Sequence, residues 1–138
     1  MANHCLVVFP IHPRTEKKLR EFSLFENLKI NPKVIFCKPL GYLDFQKLIK
    51  HAAFVLTDSG GVQEETTYRQ IPCLTLRKNT ERPVTCTLGT NTLLPFETKS
   101  IEEYIIQIKN NQYKKGTIPP LWDGHATERI VKILNEIL

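Results

Sequence analysis

The residues whose types and spacing could do chemistry cluster in Leu56-Thr57-Asp58-Ser59-Gly60-Gly61-Val62-Gln63-Glu64-Glu65. A hydroxyl and two glycines stand where a short apolar run gives way to a helical pattern. The first N–H groups of a helix have no acceptor inside it, and the helix dipole adds partial positive charge there, so such a turn binds anions. Two consecutive glycines remove the Cβ atoms that would hold a phosphate away. Neither Asp58 nor Ser59 is followed three residues later by Glu or Gln, so no capping box already occupies those donors. Ser59, Gly60 and Gly61 are therefore candidate ligands of a phosphate or diphosphate. Glu65 stands six residues beyond Ser59, or about 9 Å along a helix axis, a separation that suits a ribose whose hydroxyls donate to the carboxylate. A helix terminus stabilises a nearby anion by only about 0.3–1 kcal/mol, so a second cation is expected. Arg82, in Asn79-Thr80-Glu81-Arg82-Pro83, is the candidate. Taken singly, each has a plainer use: an ordinary turn, a solvated helix glutamate and an ion-paired surface arginine.

These residues need a frame. Short apolar runs alternate with amphipathic stretches, the pattern of a parallel sheet with crossover helices. Cys5–Phe9 predicts a strand that ends at Pro10. Pro13 opens a helix expected to continue from Arg14 to Phe25, with Leu19, Phe22 and Phe25 three apart. Val34–Cys37 predicts a second strand, and Tyr42–Ala52 a helix burying Phe45, Leu48 and Ile49. Phe54–Thr57 is the third strand, followed by a helix over Val62–Arg69, a fourth strand over Ile71–Leu76 and an edge strand near Asn91–Leu94. A helix from Ser100 to about Asn110 is expected to start with a capping box, Ser100 with Glu103, and to bury Ile101, Tyr104, Ile105 and Ile108. A polar, proline-containing stretch precedes a last helix over Ala126–Leu138. The near-continuous apolar strands imply a sheet covered on both faces. The expected fold is a single α/β domain, a Rossmann-like doubly wound parallel sheet with its ligand beyond the C-terminal strand ends.

Bulk properties are compatible with this. At 138 residues, 41% of them apolar, the chain has the length and the apolar content of one ordinary domain. It contains no run of eighteen apolar residues and no signal-peptide pattern at its start, so no membrane association and a cytoplasmic location are expected. Cys5, Cys37, Cys73 and Cys86 form no C-x-x-C pair; they are expected to be reduced, buried thiols, with no metal and no cofactor. The net charge of +5 is spread over scattered lysines and arginines without interleaved aromatics, which favours an anionic small molecule over nucleic acid.

The run Thr57-Asp58-Ser59-Gly60-Gly61-Val62-Gln63-Glu64-Glu65, followed by Thr80-Glu81-Arg82-Pro83, resembles the C-terminal half of non-hydrolysing UDP-N-acetylglucosamine 2-epimerases. The resemblance takes in Phe9-Pro10-Ile11-His12-Pro13-Arg14-Thr15, Tyr42-Leu43-Asp44-Phe45, and Trp122-Asp123-Gly124-His125-Ala126 before Arg129-Ile130, in the family's order. It implies the second domain of a two-domain fold like that of GT-B glycosyltransferases. Ser59, Gly60 and Gly61 would hold the UDP diphosphate, Glu65 the ribose and Arg82 the diphosphate region. Phe45 would lie beside the uracil, or else serve as a core residue of its helix. His12 matches a position near a second nucleotide-sugar site in some members, or is simply a polar residue at a strand end.

The same resemblance implies an activity and its missing part. Family members interconvert UDP-N-acetylglucosamine and UDP-N-acetylmannosamine by eliminating UDP to a glycal and adding it back with opposite configuration at C2. The acids and bases at C2 are largely carboxylates of the N-terminal domain. That domain, and the family's His-Arg-Arg-Glu segment, have no counterpart here, so no catalytic residue is assigned and the chain alone is expected to be inactive. The implied partners are UDP or a UDP-N-acetylhexosamine and an N-terminal epimerase domain, or a second copy of the chain. The alternative function is a non-catalytic UDP-sugar-binding or interaction module.

Overall fold

The computed structural model describes residues 1–138, which divide into two compact units, Met1–Leu48 and Ile49–Leu138. In the first unit, strands β1 (Val7–Pro10) and β2 (Val34–Cys37) pair in parallel, with Val7 opposite Val34 and Pro10 opposite Cys37. Helix α1 (Pro13–Glu21) starts on a proline whose fixed φ suits the first helical position, with His12 as its cap. The expected continuation to Phe25 does not form. Ser23 takes a left-handed φ of 56°, and a separate short helix, α2 (Phe25–Lys29), follows. The three-residue spacing therefore does not make one buried face: Phe22 is 69% exposed, while Phe25 is buried. Phe25 stacks at 5.2 Å from the Phe36 ring and lies beneath the Arg20 guanidinium, 3.8 Å from its centroid. Arg20 also pairs with Glu16 and Glu26, tying the two short helices together at the surface.

Helix α3 (Tyr42–Lys50) crosses the boundary between the units and stops two residues before the expected Ala52. Ile49 is buried along with the polar Gln46, while Phe45 and Leu48 are half-buried.

The second unit holds three parallel strands in the order β3 (Val55–Thr57), β4 (Cys73–Thr75), β5 (Asn91–Leu93). The register sets Val55 against Cys73 and Cys73 against Asn91. Every residue of the central strand β4 is fully buried, as a strand covered on both faces requires. The strands are shorter than their apolar runs; Pro72, which has no N–H, closes the start of β4 and only accepts, from Val55.

Around the strands lie α4 (Gly60–Arg69), α5 (Pro83–Thr87), α6 (Thr98–Lys109) and α7 (Ala126–Ile137). The five-residue α5 has no counterpart in the sequence expectations. Helix α6 begins at Thr98 with Glu97 as cap, so the expected capping box of Ser100 and Glu103 does not form; both lie inside the helix. Its core face is as anticipated in direction, with Ile105 fully buried and Ile101, Tyr104 and Ile108 half-buried. Of the four cysteines, all free, only Cys73 is buried; the other three are half-exposed.

Two features lock the C-terminal stretch. Gly116 lies back-to-back with the chain at Gly89, where a Cβ on Gly116 would meet Gly89 C at 2.6 Å. Asp123 accepts two bonds from the Arg129 guanidinium and one from the His125 amide, clamping the start of α7. The Arg129 bonds, then the amide, hold the Asp123 carboxyl down at about 2.

Gly89→Ala should destabilise the fold by about 1–3 kcal/mol in urea unfolding, because the added methyl group would overpack the site against the Thr85 carbonyl, 2.6 Å away. A lowered carboxyl pKa stabilises the native state above the ordinary value and loses that contribution as pH falls through the folded value. The Asp123 carboxyl should accordingly titrate by NMR near 2, and return toward its ordinary 3.8 in Arg129→Leu.

Candidate functional site

The glycine turn sits at the C-terminal end of β3. Ser59, with φ −83° and ψ 132°, is the extended cap residue of α4, and its side chain makes no capping bond. Its N–H donates instead to Thr57 Oγ1 at 3.0 Å, drawing the turn tight. Helix α4 starts at Gly60 rather than Val62, so both glycine amides belong to the first turn, whose donors have no acceptor within the helix. The first turn holds no acidic residue to occupy them.

Arg82 converges on this turn from the loop before α5, for which it is the cap residue. A Cβ on Gly60 would come within 3.2 Å of Arg82 Nη1 and 3.5 Å of Cζ. A side chain at this position would crowd the guanidinium where it lies against the helix start. The cation does not stand alone: Nη1 pairs with Glu81 Oε1 at 2.9 Å, and Nε approaches Glu64 Oε2 at 2.8 Å. The latter N–H is not aimed along that line, so it is an ion-pair contact without a well-directed hydrogen bond. Both acids, Glu64 foremost, push the guanidinium pKa up. Glu81 also pairs with Arg77 at 2.9 Å, and its Oε1 would lie 2.6 Å from a Cβ on Gly60. Its own backbone N–H, then Arg77 and Arg82, hold its carboxyl below the usual range. A carboxylate oxygen thus occupies the spot where the glycine turn and the guanidinium meet.

Glu65 lies on α4 beyond the glycines. Its residue is half-buried, and Oε2 is shielded from solvent without a hydrogen-bond partner. An anionic acceptor with unused lone pairs is costly unless a ligand or water completes it.

Behind the turn lies a set of polar residues that the sequence reasoning passed over. Gln63, Thr66 and Thr67, at i, i+3 and i+4 of α4, are all fully buried. The face this helix hides is polar. Gln63 Oε1 accepts from Thr80 Oγ1 at 2.7 Å and from Asn91 Nδ2 at 3.0 Å, and its Nε2 donates to Ser59 O at 3.3 Å. Asn91 Oδ1 accepts from Thr75 Oγ1 at 2.6 Å, and its Nδ2 also donates to Thr85 Oγ1. Lys114 Nζ donates to the carbonyls of Cys86 and Asn91, and burial lowers its pKa. The signal that could have found this set is the helical spacing of Gln63, Thr66 and Thr67, joined to Asn91 at the start of an apolar strand.

Ser59, Gly60, Gly61, Glu65 and Arg82 all lie in the second unit, and the turn and Arg82 are brought into contact. Phe45 and His12 belong to the first unit. Phe45 is half-buried on α3. His12 accepts the Arg14 N–H at Nδ1, 3.2 Å away, as the cap of α1. No three His, Cys, Asp or Glu side chains are grouped to hold a metal ion. A separate cavity of about 580 Å³ opens at the N-terminal strand ends, between Ala53, Pro72, Thr90 and Tyr113, away from the glycine turn. No helix is long and apolar enough to cross a membrane.

Comparison with known proteins agrees along the whole chain. A UDP-N-acetylglucosamine 2-epimerase from Methanocaldococcus jannaschii is 46% identical over 128 residues, 93% of this chain and 34% of that protein. One from Escherichia coli K12 is 33% identical over 132 residues, again 93% of this chain and 34% of the relative. The chain thus spans about a third of the length of the curated relatives it matches. Among solved structures, the M. jannaschii UDP-GlcNAc 2-epimerase in complex with UDP-GlcNAc and UDP superimposes with a TM-score of 0.80 at 44% identity, over 94% of this chain and 35% of that one. The Neisseria meningitidis enzyme bound to UDP-GlcNAc gives 0.69 at 29% identity, over 94% of this chain and 36% of that one. The parallel α/β architecture, like the C-terminal half of a GT-B-type fold, is therefore shared with these enzymes. Residues 1–135 also match the family model described as UDP-N-acetylglucosamine 2-epimerase, and this chain belongs to that family.

Proposed function

We propose that this chain acts as the UDP-binding domain of a UDP-N-acetylglucosamine 2-epimerase, holding the nucleotide diphosphate of a UDP-N-acetylhexosamine. The observation that carries this reading is the approach of the Arg82 guanidinium to Gly60 at the start of α4, whose first-turn amides have no acceptor within the helix. Two kinds of donor, the first-turn amides and a cation, flank a single point beyond a parallel strand, where the Glu81 carboxylate stands in the place that an anion would take. Ser59, Gly60 and Gly61 supply the turn and Arg82 the charge. Glu65, with its partnerless carboxylate oxygen, accepts from the ribose hydroxyls. Phe45 is read as the uracil contact. A role for His12 at a second nucleotide-sugar site has to use Nε2, because Nδ1 already accepts the Arg14 amide.

In this reading the reaction breaks the bond between C1 of the sugar and a diphosphate oxygen, and negative charge develops on the departing UDP. Donors fixed in advance around that group stabilise the transition state where the charge appears. In this reading, proton removal and return at C2 fall to carboxylates other than the residues named here, and this domain's own part is to hold UDP. Its partner is the complementary domain. The four free cysteines fit a reducing, cytoplasmic compartment.

Calorimetric titration of the 138-residue chain with UDP should release or absorb heat at a single site; no signal at millimolar nucleotide would remove the reading. Arg82→Ala should weaken UDP by about 10- to 100-fold, the worth of a charged hydrogen bond, and leave uridine nearly unchanged. Equal losses for both would mean that the arginine does not serve the diphosphate. Glu65→Ala should abolish the preference for UDP over 2′-deoxy-UDP, about tenfold in the parent chain, with little effect on the deoxy ligand.

A further inference from the structure

We propose that Gln63 is a positioning residue for the diphosphate: its buried carboxamide sets the distance between the glycine turn and Arg82. This rests on the proposed nucleotide-binding function and adds a residue to which no role has been given.

A short chain of bonds runs between the two walls of the site. Gln63 Nε2 donates to the carbonyl of Ser59, the cap of α4. Its Oε1 accepts from the Thr80 hydroxyl at 2.7 Å, and Thr80 Oγ1 in turn accepts the Arg82 N–H at 3.0 Å. The hydroxyl has one proton, which goes to Gln63, so its lone pair is left for Arg82 and the direction of the relay is defined. A second branch runs from Gln63 Oε1 to Asn91 Nδ2, on to Thr85 Oγ1, and from that hydroxyl to Arg82 O at 2.8 Å. Arg82 is gripped at both its N–H and its C=O, and both grips lead back to one amide.

The amide cannot rotate. Its oxygen faces two donors and its nitrogen faces a carbonyl, so a flipped amide would set its NH2 against that of Asn91 and its oxygen against the Ser59 carbonyl. Gln63, Asn91 and Thr85 are fully buried, where an incomplete network costs more than an apolar core. A leucine of similar size would fill the same space without that demand. What a leucine would lose is the connection between Ser59 and Arg82, the two groups whose separation must match a diphosphate.

The variant Thr80→Val keeps the bulk of the side chain and cuts the relay at both bonds, and Thr80→Ser restores the hydroxyl. Both are compared with the parent chain for UDP and for uridine by calorimetry, alongside thermal melting and the Arg82 Nε–H resonance. Thr80→Val is expected to lower the UDP-to-uridine affinity ratio by about tenfold, to shift or broaden the Arg82 resonance, and to be rescued by Thr80→Ser. A valine variant that melts earlier yet keeps the parental affinity ratio and resonance would show a structural role only and overturn the proposal. A parent chain with no preference for UDP over uridine would instead overturn the diphosphate reading itself, and this inference with it. Gln63→Leu, where it folds, must reproduce the valine result; a parental ratio there also overturns the proposal.

Discussion

A helix that hides a polar face must find a partner for the groups it takes out of water, and α4 is such a helix. The hydrogen bonds of Gln63 tie α4 to the neighbouring elements, while Thr67 Oγ1 on the same face is left without a partner. Thr66 returns its hydroxyl to Val62 and Gln63 carbonyls on its own helix. Gln63 has to look outward, to the strand β5 through Asn91 and to the arginine loop through Thr80. An apolar α4 would pack against the same strands with many small adjustments open to it. A hydrogen-bonded one permits few, because an unmade buried bond costs about 1–3 kcal/mol.

The electrostatics of the site are local. A net charge of +5 says little about it, since Arg77 and Arg82 are met by Glu64 and Glu81 in the same patch. What distinguishes the patch is geometry: amides of the first helical turn have no partners within the helix, and the guanidinium packs close beside Gly60, where a side chain would crowd it. Such preorganised donors favour a charge that develops in place more than one that arrives already formed.

Much of this was legible in the chain. The strands are placed within a few residues by their apolar runs, and the glycines of the Thr57–Glu65 run mark the strand-to-helix turn that the structure shows. Arg82 does lie against that turn, where a second cation is expected. The misses have physical reasons. Helical spacing through Leu19, Phe22 and Phe25 hid the break at Ser23, because periodicity does not register one left-handed residue. The capping box at Ser100 and Glu103 matched a pattern, yet the helix extended two residues further back. The five-residue α5 is too short to show a period. The Gln63 network was invisible because buried amides resemble surface ones in a sequence; only packing reveals which side of the helix they face. The two carboxylates on Arg82 come from separate segments, so no spacing rule joins them.

The carboxylate of Glu81 at the helix start has one more consequence. An anion brought to this turn would meet a resident of like charge, so its hold would be the difference between two occupancies rather than the strength of one. A site furnished with its own tethered rival holds its guest less tightly and is never left empty when the guest departs.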